Sequence, residues 1–188
     1  MKERAVQLIV WGLLFVLIDL KIVTFDIIHD LIGYIFIYKG IQKLPLSRWL
    51  GYAKISAVFL GILSVIEIFG LGYINLNELN QDFTIRLGAA GVLAILSLFF
   101  HINLLSGLLD SVDENYLKGQ YSSLQKFKRF YLIFSLINIM SLPALMIFQE
   151  DLVFYLIILI AAGFIIEIVF IVKISSIKRF IPFKERAS

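Results

Sequence analysis

Residues 152–174 read LVFYLIILIAAGFIIEIVFIVKI, an apolar run whose only charged residues are Glu167 and Lys173. A transmembrane helix needs about 20 consecutive and mostly apolar residues, and this run has that length. In soluble proteins, an amphipathic helix or strand has one polar face, so polar residues recur at regular intervals in its sequence. The run therefore predicts a helix that crosses a lipid bilayer.

Five other segments of the chain have the same character. The chain has 188 residues, of which 60% are hydrophobic, and its mean hydropathy is +0.93. Soluble domains are roughly 45–50% apolar. We therefore predict an all-α integral membrane bundle of six transmembrane helices, forming a single domain over residues 1–188. The predicted spans are residues 5–20, 24–44, 52–74, 84–109, 127–148 and 152–174.

The distribution of basic residues predicts the orientation of this bundle. If the N-terminus is cytoplasmic, fifteen of the seventeen Lys and Arg residues fall in cytoplasmic segments, and only Lys21 and Arg86 lie outside. Cytoplasmic loops of membrane proteins carry just such an excess of basic residues. The segments predicted to lie outside are acidic instead, as in the polar loop 75–82. Both termini are therefore expected to be cytoplasmic.

Composition and motifs argue against several classes of function. The chain has no Cys, which excludes disulfide scaffolds and thiolate metal sites. It contains no HExxH, GxSxG or P-loop pattern, and its predicted loops are too short for a soluble catalytic domain. The basic residues lie where membrane topology requires them, so nucleic acid is not an expected partner. We expect no catalytic residue, no cofactor and no bound metal, and the lipid bilayer is the expected partner.

Two carboxylates fall inside predicted spans, Glu67 in the third and Glu167 in the sixth. A charged residue at the centre of a membrane helix costs roughly 2.5–3.5 kcal/mol, so each requires an explanation. Helical spacing also places small and polar residues on one face of three spans: Ala53, Ser56, Ser64, Glu67 and Gly70; Ala90, Ala94, Ser97 and His101; Tyr131, Ser135, Asn138 and Ser141. Faces of this kind contact other helices rather than lipid.

These faces define a candidate intramembrane polar site made of Glu67, His101, Asn138 and Glu167. One interpretation is a pathway for protons or cations. The other, which the sequence favours, is structural: neutral carboxyl groups hydrogen-bonded between helices. Because each glutamate lies in the third span of a three-span half, an inverted repeat of three plus three helices is a further hypothesis. The similarity between the halves covers few residues, so chance is the favoured explanation.

Spans 1 and 2 carry a second candidate site near their outer ends. Three glycines would let these two helices approach closely: Gly12, Gly33 and Gly40. Close approach would gather an acidic cluster at the outer surface: Asp19, Asp26, His29 and Asp30. Oxygen and imidazole ligands of this kind bind divalent cations. Acidic residues at a helix N-terminus are also ordinary, because they complement the helix dipole, and this second interpretation is favoured.

Residues 18–44, which read IDLKIVTFDIIHDLIGYIFIYKGIQKL, resemble the first hairpin of a group of small, mostly uncharacterised multi-pass membrane proteins of Gram-positive bacteria. Those proteins often read Asp-x-x-Pro-Asp-x-x-Gly-Tyr at this point. The chain matches the pattern at Asp26, Asp30, Gly33 and Tyr34, and it carries His29 where Pro is usual. The resemblance implies a bacterial cytoplasmic membrane location and brings no established activity.

Two hypotheses for function follow. The first is a non-enzymatic accessory, regulatory or immunity-type protein that contacts another membrane protein, or a second copy of itself, through its helices. The short loops and the small-residue faces motivate it. The second is a small solute or cation transporter or channel that uses Glu67 and Glu167. A membrane enzyme ranks third, because only the outer Asp and His residues would supply it with an acid and a base.

Overall fold

A computed structural model describes residues 2–18, 26–45, 47–66, 81–111, 118–148 and 153–177. The described residues form six α-helices and no strand, so the predicted all-α class is confirmed. The helices are α1 (Lys2–Leu17), α2 (Asp26–Gln42), α3 (Arg48–Ile66), α4 (Gln81–Ser111), α5 (Lys118–Phe148) and α6 (Val153–Ile177). Each predicted span coincides for most of its length with one of these helices, and residues 67–74 of the third lie outside the described residues.

Three of the helices are long and apolar enough to cross a membrane. The qualifying stretches are Arg48–Val65 in α3, Gly88–Ser111 in α4 and Ile157–Ile177 in α6. α1 and α2 have 16 and 17 residues, somewhat fewer than the about 20 that span the hydrocarbon. Large apolar side chains on α5 and α6 point outward, with Met140 76% exposed. Helices of this length and composition indicate a membrane protein, whose exposed apolar surface faces lipid.

α5 begins at Lys118, nine residues before the predicted start of its span. The added stretch, KGQYSSLQK, is polar, and a hydropathy pattern alone therefore leaves it outside the bilayer. Leu124 within it is 1% exposed and belongs to the hydrophobic core. Burial of this one side chain explains why the helix continues beyond the apolar segment.

The turn between α2 and α3 shows how polar residues delimit these helices. The last turn of α2 tightens, with Leu44 N–H donating to the Ile41 carbonyl at 3.0 Å, before Pro45 prevents further helix. Ser47 then caps α3: its Oγ accepts a hydrogen bond from Leu50 N–H at 3.2 Å.

Consecutive helices run antiparallel and pack in chain order around a ring, which closes where α6 packs on α1. Gly12 of α1 faces Gly33 of α2, while the earlier residue Ala5 faces the later residue Gly40. The remaining neighbours show the same reversal, as Ser123 of α5 faces Lys173 of α6. Lys2 and Ile177, the first and last helical residues described, therefore lie at the same end of the bundle, called here the terminal end.

The packed core occupies the half of the bundle nearest the terminal end. In α4, residues 103–109 are all buried, whereas most positions between 88 and 99 are half-buried or exposed. α6 follows the same rule: Phe170 and Ile174 are fully buried, whereas Ile160 and Phe164 are exposed. The opposite half is packed more openly, and α5 and α6 make the fewest contacts of any neighbouring pair in the ring.

The glycines of spans 1 and 2 bring α1 and α2 into backbone contact. A Cβ on Gly12 would lie 2.5 Å from the Gly33 carbonyl oxygen, and one on Gly33 would lie 2.7 Å from the Gly12 oxygen. Gly40 is equally close to the Ala5 carbonyl, at 2.8 Å. These faces are occupied inside the chain, so they are not free for a partner protein.

Candidate functional site

The polar faces of α4, α5 and α6 meet at one level of the bundle through a titratable cluster of His101, Tyr131 and Glu167. Tyr131 Oη donates a hydrogen bond to Glu167 Oε1 at 2.5 Å. The other carboxylate oxygen, Oε2, lies 3.5 Å from His101 Nε2. The His101 side chain is 10% exposed and that of Glu167 is 31% exposed. One carboxyl group on α6 thus joins three helices.

The backbone of α4 sets the tautomer of His101. Nδ1 lies 2.7 Å from the Ser97 carbonyl oxygen, and a carbonyl oxygen is only an acceptor. Nδ1 therefore carries a proton and donates it there. Nε2 is therefore the nitrogen that faces Glu167, and it lies 3.5 Å from the carboxylate oxygen Oε2.

Aromatic rings pack around the cluster. The His101 ring packs edge-on against Phe100 and Phe170, with centroids 4.9 Å away in both cases. Phe170 also contacts Tyr131 at 5.1 Å and Phe127 at 6.3 Å. Phe100 and Phe170 are almost completely buried. Phe127 and Phe170 lie on the side of the cluster nearer the terminal end.

A cavity of about 200 Å³ lies on the other side of the cluster, between α4, α5 and α6. Its apolar lining consists of Ala94, Leu98, Phe134, Ile139, Gly163 and Ile166. Its polar lining consists of Ser97, Tyr131, Ser135, Asn138 and Glu167. From the cluster the lining runs toward lower numbers on α4 and α6 and toward higher numbers on α5, which in each case leads away from the terminal end. The cluster forms the floor of a one-sided cavity.

The lysines nearest the cluster are engaged by serines on neighbouring helices. Lys128 Nζ donates to Ser106 Oγ at 3.2 Å, and Lys173 Nζ donates to Ser123 Oγ at 3.0 Å. Both lie nearer to the terminal end than the cluster does. Among the described residues that line the cavity there is no Lys or Arg, and Glu167 is the only acid. The charge that the cavity presents is set by Glu167 and its partner His101.

The structure brings together three of the four residues predicted for the intramembrane site. His101 and Glu167 are direct neighbours, and Asn138 lines the same cavity. Glu67 lies outside the described residues. The hypothesis of an inverted repeat, which depends on comparing Glu67 with Glu167, therefore stays a prediction. Tyr131 was expected on the polar face of span 5 but not as the partner of Glu167. Phe170 and Gly163 gave no polar signal, so sequence reasoning missed them.

The polar face of span 3 has a structural role. Ser56 and Ser64 are buried, and each hydroxyl donates at 2.9 Å to a carbonyl of its own helix, Tyr52 and Gly61 respectively. Neither serine lines the cavity. Because their hydrogen bonds are satisfied within the helix, these serines allow close packing without forming a site.

The predicted outer acidic cluster falls mostly outside the described residues. Asp19 lies outside the described residues. Asp26 and His29 belong to α2, and their side chains also lie outside the described part of the structure. Asp30 is half-buried in the second turn of α2. Among the described residues there is no group of three or more His, Asp or Glu residues with the geometry of a metal site. Three of the four predicted members lie outside that comparison.

No family model, curated protein or solved structure matches this chain. What can be said of the molecule rests on its own geometry. It is an all-helical membrane protein in which a histidine, a tyrosine and a glutamate from three helices meet at one end of a cavity.

Proposed function

We propose that this chain is a six-span transporter for protons or small cations, with both termini cytoplasmic, in a bacterial cytoplasmic membrane. The antiparallel ring supports the topology, because it places nine basic residues in the half nearest the terminal end: Arg4, Lys39, Lys43, Arg48, Lys54, Lys126, Lys128, Arg129 and Lys173. Arg86 lies at the opposite end, near the start of α4. A basic terminal end is the end expected to face the cytoplasm.

The pair of His101 and Glu167 at the end of the cavity is the observation that carries the proposed transport function. Ionisable residues inside membrane helices often form proton relays or ion pathways. Transporters expose such a site to one side of the membrane at a time. The cavity extends from the cluster away from the terminal end, and the rings of Phe127 and Phe170 lie on the other side of the cluster. This asymmetry supports the proposal.

The structural alternative is that Glu167 serves only to hold three helices together. A buried carboxyl group satisfied by Tyr131 and His101 would do so. That role does not require the cavity, and it does not require the carboxylate to remain 31% exposed. Partial exposure leaves Glu167 able to exchange its proton with the cavity. The geometry therefore favours transport.

The test is proton flux into liposomes that contain the purified protein and an entrapped pH-sensitive dye. A potassium gradient with valinomycin drives protons inward, and the dye reports acidification. The Glu167→Gln variant is expected to lose the protein-dependent flux, because an amide cannot exchange a proton. Asp110→Asn is the matched control, since Asp110 is exposed near the end of α4 and far from the cavity.

Flux in the wild-type protein and in Asp110→Asn, but not in Glu167→Gln, supports transport through the cluster. Wild-type flux that persists in Glu167→Gln would remove Glu167 from the pathway. A wild-type protein that carries no flux in correctly folded form would overturn the proposal itself. Elution of each variant as a single symmetrical species in detergent serves as the folding check.

An accessory role through helix contacts is the competing proposal. The glycines of α1 and α2 face each other within the chain, so a partner would have to bind elsewhere. The exposed apolar residues of α5 and α6 are the surface that remains. Purification from native membranes in mild detergent, with mass spectrometry of bound proteins, distinguishes the accessory role from the transport function. A stoichiometric second protein together with absent flux would favour the accessory role.

A further inference from the structure

The charge of the cavity selects for cations. Glu167 is the only acid among the described lining residues, and none of them is Lys or Arg. Lys128 and Lys173 lie beyond the cluster, and each donates to a serine. An anion in the cavity would face a carboxylate with no basic side chain to compensate it. A cation would be attracted to Glu167 at short range, in surroundings where water does not screen the charge fully.

The size and lining of the cavity select for an organic cation rather than a metal ion. A volume of about 200 Å³ is far larger than one ion requires, and more than half of the lining residues are apolar. Calcium takes about six to eight oxygen ligands and magnesium about six, which the single carboxylate and few hydroxyls here do not supply. An apolar body would cover Leu98, Phe134 and Ile166 and remove them from water.

The acceptors in the cavity match a protonated amine. An ammonium group offers N–H donors and no acceptor. Glu167 Oε2 is one acceptor for it. Asn138 supplies a second, because its Nδ2 donates to the Phe134 carbonyl at 3.0 Å, which leaves the amide oxygen as the acceptor of that side chain. A quaternary ammonium ion, which has no N–H, would satisfy neither of these groups.

We propose that this cavity binds a small protonated amine with an apolar body, with Glu167 and Asn138 as the acceptors for its ammonium group. The role of this binding in transport rests on the proposed function, whereas the binding itself does not.

Benzylamine is the probe, because it joins one ammonium group to one apolar ring. Isothermal titration calorimetry of the purified protein in lipid nanodiscs measures the affinity, and we expect benzylamine to bind. Benzyl alcohol, which is neutral and of similar shape, is expected to show no binding.

Two variants test the location of the site. Gly163→Leu adds a side chain to the lining of the cavity, and the atom nearest to its Cβ would be Phe134 Cε1 at 4.0 Å. Its matched control is Gly88→Leu, which adds the same side chain in open space on α4. We expect benzylamine affinity to fall about tenfold or more in Gly163→Leu and to be unchanged in Gly88→Leu. In Glu167→Gln the affinity should fall by about tenfold to a hundredfold.

The outcomes for binding and for transport can be told apart. Folded wild-type protein that does not bind benzylamine, or binding that survives in Glu167→Gln, overturns the amine site. Proton flux in liposomes without benzylamine binding would leave the proposed transport function standing and remove this substrate class. Benzylamine binding without any flux would do the reverse.

Discussion

At the scale of single residues, the feature that matters most is the hydrogen-bonding position of His101. The Ser97 carbonyl accepts from Nδ1 at 2.7 Å, so Nε2 is the nitrogen presented to Glu167. Tyr131 donates to the other oxygen of the same carboxyl group. The carboxyl group of Glu167 on α6 therefore joins His101 on α4 to Tyr131 on α5.

Removal of the Tyr131 hydroxyl should weaken the cluster without dismantling it. In Tyr131→Phe the ring still packs on Phe170, but Glu167 loses a donor, and a hydrogen bond to a charged group contributes about 1.5–3 kcal/mol. The carboxyl group thus loses one of the contacts that fix its position at the end of the cavity. We expect proton flux into liposomes to fall about tenfold, to a level above that of Glu167→Gln.

The matched control for this change is Tyr155→Phe, since Tyr155 is exposed on α6, three turns from the cluster. Its flux should equal that of the wild type. Equal flux in Tyr131→Phe and the wild type would show that the hydroxyl plays no part in proton exchange. Complete loss of flux would instead make Tyr131 as essential as Glu167.

At the scale of helices, the ring has one tight pair and one loose pair. α1 and α2 touch through backbone atoms at Gly12, Gly33 and Gly40. A similar contact joins α3 to α4, where a Cβ on Gly107 would lie 2.8 Å from Leu50 N. α5 and α6 instead enclose a cavity. The rigid part of the molecule is thus α1 to α4, and the cavity lies where packing is least extensive.

Because α1 and α2 are in backbone contact at Gly33, a single methyl group added at this position is expected to lower the stability of the protein. In Gly33→Ala the new Cβ would lie 2.7 Å from the Gly12 carbonyl oxygen, and a backbone atom cannot move aside. Overpacking of this kind costs about 1–3 kcal/mol. We expect the thermal unfolding midpoint in detergent to fall by several degrees, measured by loss of the soluble species on size-exclusion chromatography.

Gly88→Ala is the control, because nothing lies within 4 Å of its added Cβ. Alanine is preferred over glycine in a helix by about 1 kcal/mol, so the midpoint should stay the same or rise. If both variants were equally stable, α1 and α2 would be farther apart than the structure places them.

At the scale of the whole molecule, most of the described basic residues share one end of the bundle with the first residue of α1 and the last residue of α6. This placement leads us to expect that the terminal end is cytoplasmic and that the loop at residues 75–80 lies outside. The chain contains no Cys, so single cysteines can be introduced as reporters without background. The pair Asn77→Cys and Ser122→Cys samples the two sides, since Ser122 is exposed near the start of α5.

A membrane-impermeant maleimide applied to intact bacterial cells should label Asn77→Cys and should label Ser122→Cys only after permeabilisation. The physical reason is that the basic segments resist transfer across the membrane during insertion. Labelling of both positions in intact cells, or of Ser122→Cys alone, would contradict the topology. Equal labelling of both variants in detergent serves as the control for thiol reactivity.

The predictions made from the sequence succeeded where a local pattern decides the structure. Apolar runs such as residues 152–174 form helices because every backbone group in a bilayer must be satisfied within its own segment. The polar faces of α4 and α5 were likewise read from helical spacing, because a period of 3.6 residues decides which side chains share a face. The start of α5 at Lys118 was missed, because it depends on the burial of Leu124 against other helices.

The sequence by itself thus determined the helical membrane class, the apolar segments and the carboxylate at Glu167 that needed a partner. Only the tertiary structure decided that the partner is His101 with Tyr131, that the glycines of α1 and α2 are used within the chain, and that a cavity lies between α4, α5 and α6. These features depend on the rotation and depth of each helix relative to its neighbours. Rotation and depth arise from many contacts between residues distant in the chain, and no periodic pattern within one segment encodes them.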